Sequence, residues 1–125
     1  TGDGVADNKK CDVLMSVHHN GSTDPTHDGT LTIYTQKSDK PLAQSLLNAL
    51  WPLTGSNEGM LNGGYGMRVY KNLVSTITSA YYITNDDEAR AWLSGAKTPL
   101  EVDAQIAGLT NYFASQTGGK GGKPR

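Results

Sequence analysis

The stretch Asp12-Val13-Leu14-Met15-Ser16-Val17-His18-His19-Asn20 constrains the fold more than any other part of the sequence. An apolar run of this length, bounded by turn signals, predicts a buried β-strand. Its polar, ligand-capable side chains are gathered at the carboxyl end, and in open α/β sheets that end borders the binding crevice. Alternation along a strand sends His18 and His19 to opposite faces. The run thus places a possible metal ligand at that end, and the two histidines cannot both face one site.

The residues around this run alternate between strand and helix patterns. Gly21 to Gly29 is a dense cluster of turn formers and predicts a surface loop. Thr30-Leu31-Thr32-Ile33-Tyr34-Thr35 alternates with period two and predicts a second strand. Leu42, Leu46, Leu47, Leu50 and Leu53 recur at spacings of three and four, which predicts a helix from Ser38–Pro41 to about Leu53. The glycine-rich segment Thr54–Gly66 is expected to be a long loop. Met67–Tyr70 and Thr76–Thr84 predict two more strands. Asn85 followed by Asp86, Asp87 and Glu88 is an N-cap with first-turn acids, opening a short helix that ends at Gly95. Thr98-Pro99-Leu100-Glu101 reads as a capping box with proline at N1, and Val102, Ile106, Leu109 and Phe113 as the buried stripe of the last helix. Strands separated by helices predict an α/β domain: a three-layer mixed sheet flanked by helices.

Composition narrows the partners. The formal charge of −1 and pI of 6.2 give no electrostatic case for nucleic acid or an anionic membrane. No apolar run approaches the ~20 residues that span a bilayer. Cys11 is the single cysteine, which excludes an internal disulfide and a cysteine-based zinc site. Just ahead of an apolar strand, it is expected to be a buried or half-buried small hydrophobe.

Ser16-Val17-His18-His19-Asn20, with Asp12 and the apolar residues before it, resembles the "aDlfiSiHaN" signature of zinc-dependent N-acetylmuramoyl-L-alanine amidases, which are cell-wall hydrolases. Gly29-Thr30 and the strand after it look like that family's "G-v-x-v-y", and Met67-Arg68-Val69-Tyr70-Lys71-Asn72 like its "L-r-V-l-r-n". Ile83-Thr84-Asn85 with the three acids that follow is similar to "G-F-[IL]-[ST]-N-x-x-[DE]", and Thr1-Gly2-Asp3 to "T-R-t-x-D". The resemblance implies an amidase-like domain over residues 1–117, the C-terminal portion of the family's domain and shortened at its N-terminus, with a flexible Gly/Lys tail over 118–125. It implies that His18 is a zinc ligand, that Asn20 orders the site, and that zinc activates a water which attacks the amide between the lactyl group and L-alanine. Arg68 is a candidate for binding an anionic peptide or muramyl carboxylate. Peptidoglycan is the implied partner, and the cell wall or extracellular space the implied location, with a periplasmic enzyme or a phage lysin left open.

The departures are as informative. A catalytic zinc needs three protein ligands. The family supplies the other two as a histidine in "D-P-G-H-G-G" and a glutamate, and neither motif occurs in these residues. The resemblance therefore places them ahead of Thr1, in line with an excised or mature piece that carries no signal-like segment. Counting back six residues from Asn85 lands on Ser79, where the family carries the glutamate that takes the water's proton. A serine hydroxyl with no base beside it cannot do that at neutral pH. A natural loss, an engineered change and an alignment slip are three open readings of Ser79. Glu58, in the glycine-rich segment, is the carboxylate with the freedom to swing into a cleft. Zinc binding and hydrolysis are thus not expected of this chain alone, and a non-catalytic module that binds peptidoglycan or a protein is the alternative. An incomplete sheet would expose an edge near Asp12–His19, giving either a homo-oligomer or a seat for the absent segment.

Overall fold

The computed structural model describes residues 11–63 and 73–118. Four strands, β1 (Val13–Asn20), β2 (Thr30–Tyr34), β3 (Asn57–Asn62) and β4 (Val74–Tyr82), form one mixed sheet in the order β1-β4-β2-β3. β1 and β4 run parallel, β4 and β2 antiparallel, and β2 and β3 parallel. Three helices accompany it: α1 (Lys40–Leu50), α2 (Asp86–Ser94) and α3 (Lys97–Gly118). The domain is an open α/β sheet, as the pattern of strands and helices implies.

The leucine stripe folds as its spacing dictates. Leu42, Leu46, Leu47 and Leu50 are all buried on α1, and a 3-10 turn over Trp51–Leu53 carries Pro52 just past the helix. Leu42, Leu46 and Leu50 meet Ala80, Tyr81 and Tyr112 in the central core. Asp39, fully buried ahead of α1, accepts hydrogen bonds from the backbone N–H groups of Thr35, Gln36 and Ser75. That satisfies a carboxylate which could not otherwise be buried, and ties α1 to the start of β4. Asn85 caps α2 by accepting from the Glu88 N–H, and Gly95 ends it at φ 82°, where a side chain would be strained.

Four expectations are corrected. Thr54–Gly66 is not one long loop, because β3 occupies Asn57–Asn62 and pairs with β2. Its register slips at Glu58, and Gly59 at φ 87° supplies the bend. Cys11 is exposed, since it lies outside the first paired residue of β1. The last helix starts at Lys97, so Thr98 and Pro99 sit inside its first turn, and Glu101 bonds His19 instead of closing a capping box. The buried line of α3 is Glu101, Gln105, Gly108 and Tyr112; of the expected stripe, Leu109 and Phe113 are half-buried against the core, while Val102 and Ile106 are exposed. That rotation follows from two specific contacts: Gln105 Nε2 donates to Thr78 Oγ1 (3.0 Å), and Gly108 lies against Leu46 and Ser45 of α1. The expected strand Met67–Tyr70, Arg68, residues 1–10 and the tail after Gly118 lie outside the described residues.

Candidate active-site cleft

Register places the candidate residues on one face of the sheet. His18 pairs with Ser79 across β1 and β4, and Ser79 pairs with Leu31 across β4 and β2, so the three form one row. Ile77 and Ile33 form the next row down. With Asn20 and His19 they line an open cleft of about 250 Å³. Its floor is aliphatic and its polar groups collect at the carboxyl end of the parallel pair. Thr78 and Thr32, on the opposite face, bond instead to Gln105 and to the Ala43 carbonyl of the helical layer.

Each expected site residue among the described residues has a definite place. His18 is exposed, and its Nε2 shares a 2.9 Å hydrogen bond with Ser16 Oγ, two residues back on the same face. Ser79 is only 4% exposed, and its hydroxyl has no hydrogen-bond partner. Asn20 is half-buried, and its Oδ1 accepts from the Gly21 N–H at 2.8 Å, which shapes the exit from β1. His19 turns the other way: its ring stacks on Tyr81 at 4.2 Å, and Nε2 donates to Glu101 Oε1 at 2.8 Å. Two adjacent histidines thus serve two different layers.

Glu58 does not swing freely. Its carboxylate accepts from His27 Nε2 (2.7 Å) and from the Tyr82 hydroxyl (2.8 Å), while His27 meets Tyr82 edge-on. Burial and the Glu58 carboxylate push the Tyr82 phenol up to about 12. Asp28 accepts from the Tyr82 N–H and shares a proton-mediated contact with Glu88, which also meets Lys97 Nζ at 2.7 Å. These three clusters were not visible as motifs, because their members are separated by up to 82 residues and no spacing rule connects them. The acids of the α2 first turn divide accordingly: Asp86 and Asp87 are exposed, whereas Glu88 is buried.

Of the residues lining the cleft, His18 supplies an imidazole and its row partner is a hydroxyl; Glu58, outside the lining, is held by His27 and Tyr82. Among the described residues no three histidine, cysteine, aspartate or glutamate side chains are grouped to hold a metal. The described residues therefore do not make a complete zinc site.

An open mixed α/β sheet with a histidine at the carboxyl end of its parallel pair defines a cleft-bearing α/β domain. The chain belongs to the N-acetylmuramoyl-L-alanine amidase family, whose model matches residues 4–111. That family is generally zinc-dependent. The fold is similar to the catalytic domain of CwlV, an N-acetylmuramoyl-L-alanine amidase from Bacillus (Paenibacillus) polymyxa var. colistinus. The TM-score is 0.75 at 24% identity, over 88% of this chain and 62% of that one. It is also similar to the amidase AmiC2 of Nostoc punctiforme, with TM-score 0.78 and 18% identity over 88% of this chain and 62% of that one. The catalytic domain of the CD27L endolysin, described as targeting Clostridia difficile, matches with TM-score 0.57 and 16% identity, over 79% of this chain and 56% of that one. The chain thus spans about three-fifths of the length of the first two relatives. No curated protein matches its sequence. No helix among the described residues is long and apolar enough to cross a membrane.

Proposed function

We propose that this chain is part of a peptidoglycan hydrolase of the N-acetylmuramoyl-L-alanine amidase type, and that by itself it holds the wall peptide without cleaving it. The row His18–Ser79–Leu31 carries this reading. Amide hydrolysis needs a group that removes a proton from water as it attacks. The cleft offers a buried serine hydroxyl at that place and no carboxylate within its lining. His18 is the metal-directed imidazole of the cleft, and a working zinc site requires further ligands beyond those described. Family membership supports peptidoglycan as the substrate class and the cell wall as the place of action. Asn20 and the aliphatic floor would hold the peptide, and Arg68 is retained as a candidate for its carboxylate.

The alternative, a non-catalytic module of the same family, is favoured by Ser79 and predicts that lysis stays absent even when a segment carrying the remaining zinc ligands is supplied. The purified chain is assayed for zinc by mass spectrometry, for lysis of purified cell wall by turbidity, and for co-sedimentation with that wall. The expected result is sedimentation with the wall and no chelator-sensitive lysis. Chelator-sensitive lysis by the chain alone would sink the proposal that it does not cleave, and absence from the wall pellet would sink the proposal that it binds.

A further inference from the structure

The sequence holds two Asn-Gly pairs, Asn20-Gly21 and Asn62-Gly63, and the fold treats them differently. In such a pair the glycine nitrogen can attack the side-chain amide carbon of the asparagine, because no Cβ on the glycine stands in the way. Asn62 is exposed, but its amide is pinned: Nδ2 donates to the carbonyls of Tyr34 (3.2 Å) and Thr35 (3.0 Å). The Gly63 N–H donates to the Tyr34 carbonyl at 2.8 Å. Nitrogen and amide are both committed to β2, and neither turns to the other while β2 and β3 stay paired.

Asn20 ends β1 at the polar end of the cleft, which it lines together with His18. Its Oδ1 accepts from the Gly21 N–H at 2.8 Å, so the attacking nitrogen already lies against the carbonyl it would attack. Its Nδ2, the leaving group, has no hydrogen-bond partner among the described residues. The peptide that links the pair is held from outside. The Asn20 carbonyl accepts from the Ile83 N–H at 3.0 Å, and the Ser22 N–H donates to Thr84 Oγ1 at 2.9 Å. A hydrogen bond to a peptide oxygen polarises the group and makes its N–H easier to deprotonate. Exposure alone would rank Asn62 as the more reactive, and hydrogen bonding reverses that order.

We propose that Asn20 is a site of spontaneous deamidation, which turns the amide in the cleft into a carboxylate. The Gly21 nitrogen gives its proton to water and bonds to Asn20 Cγ. The Cγ–Nδ2 bond breaks, the leaving nitrogen takes up a proton as ammonia, and a succinimide ring remains. Water then opens the ring. Attack at Cγ restores the peptide to Gly21 and leaves an aspartate; attack at the main-chain carbon leaves an isoaspartate, with the chain running through Cβ and Cγ. Water is the only co-reactant. No side chain lining the cleft carries a carboxylate, so either product brings a negative charge to that lining, beside His18. The chemistry is the same whatever the cleft binds, and it stands or falls separately from the proposed activity.

The test warms the 125-residue chain in neutral buffer, folded and in urea, and follows both asparagines by peptide mapping with mass spectrometry. An isoaspartyl methyltransferase marks the isoaspartate. In the folded chain Asn20 should convert at least about tenfold faster than Asn62, a barrier difference of about 1.4 kcal/mol. In urea, where neither pair is held, the two rates should converge. Gly21→Ala should slow the Asn20 step by about tenfold. It should leave thermal unfolding unchanged, because the nearest atom to a Cβ there is Thr84 Cγ2 at 3.8 Å. Equal rates in the folded chain, or an Asn62 that converts first, overturn the proposal. So does an Asn20 that stays intact in the folded chain while converting in urea, a difference between the pairs that persists in urea, or a Gly21→Ala variant that converts as fast as the parent.

Discussion

His18 on β1 and Ser79 on β4 face the same cleft as register partners, and the buried Ser79 hydroxyl makes no hydrogen bond. A buried hydroxyl without a partner costs about 1–3 kcal/mol relative to a paired one. Ser79→Ala removes that group and opens little space. The variant is expected to be as stable as the parent or more stable by about 1 kcal/mol, read as a higher urea midpoint at unchanged slope. A midpoint lowered by more than that would mean the hydroxyl is engaged in solution.

Glu88 sets a pH dependence. Burial first, and then the Asp28 carboxylate, push its carboxyl up to about 7, against the opposing pull of the Lys97 ammonium. The folded chain therefore holds a proton between about pH 4.5 and 7 that the unfolded chain has released. This contribution to stability is complete below about pH 4.5 and is lost as pH rises through 7, on the order of 2 kcal/mol in all. Glu88→Gln keeps a donor for Asp28 and cannot titrate. Denaturant midpoints of the parent chain should fall relative to the glutamine variant between pH 5 and pH 8, and parallel pH curves would refute the assignment.

Local and long-range determinants of this fold divide along a physical line. Elements whose residues bury one local stripe were legible: Leu42, Leu46, Leu47 and Leu50 specify α1, and Asn85 and Gly95 bound α2. The strand Val13–Asn20 and the opposite facing of its two histidines follow from run length and alternation alone. What was not legible depends on partners far away in sequence. β3 contains glycine and two asparagines and becomes a strand through its pairing with β2. The face that α3 buries is chosen by Gly108 against α1 and by Glu101 against His19, so a polar line wins over the more apolar one beside it. The cleft row became visible only with the β1–β4 register, because a spacing count cannot say that Ser79 lies beside His18.

Gly108 is required by that packing. A Cβ there would stand 2.7 Å from Leu46 Cδ2 and 2.9 Å from Leu46 Cα, and the second is backbone that cannot swing aside. Alanine would gain about 1 kcal/mol of helix propensity. Overpacking at two close backbones costs about 1–3 kcal/mol, and the loss should win. Gly108→Ala is expected to lower stability by about 1 kcal/mol or more in urea unfolding, while Ala107→Gly, on the exposed side of α3, loses only the propensity difference. A stabilised Gly108→Ala would show that the two helices separate easily.

Tyr82 and Glu58 give the most direct spectroscopic check of the sheet's carboxyl end. The Tyr82 hydroxyl donates to Glu58 at 2.8 Å, and burial with that carboxylate holds its phenol near 12. Burial raises Tyr81 as well, with Glu101 and Glu88 adding to it. In an absorbance titration of phenolate formation, these two tyrosines should ionise after ordinary tyrosines, which titrate near pH 10. Glu58→Gln removes the negative charge beside Tyr82, so one of the late steps should move toward pH 10 while the Tyr81 step stays. Tyr82→Phe should delete the same step and cost about 1 kcal/mol, because the half-buried Glu58 carboxylate loses a donor. If Glu58→Gln leaves both late steps in place, burial alone holds the Tyr82 phenol up and the Glu58 carboxylate adds nothing to it.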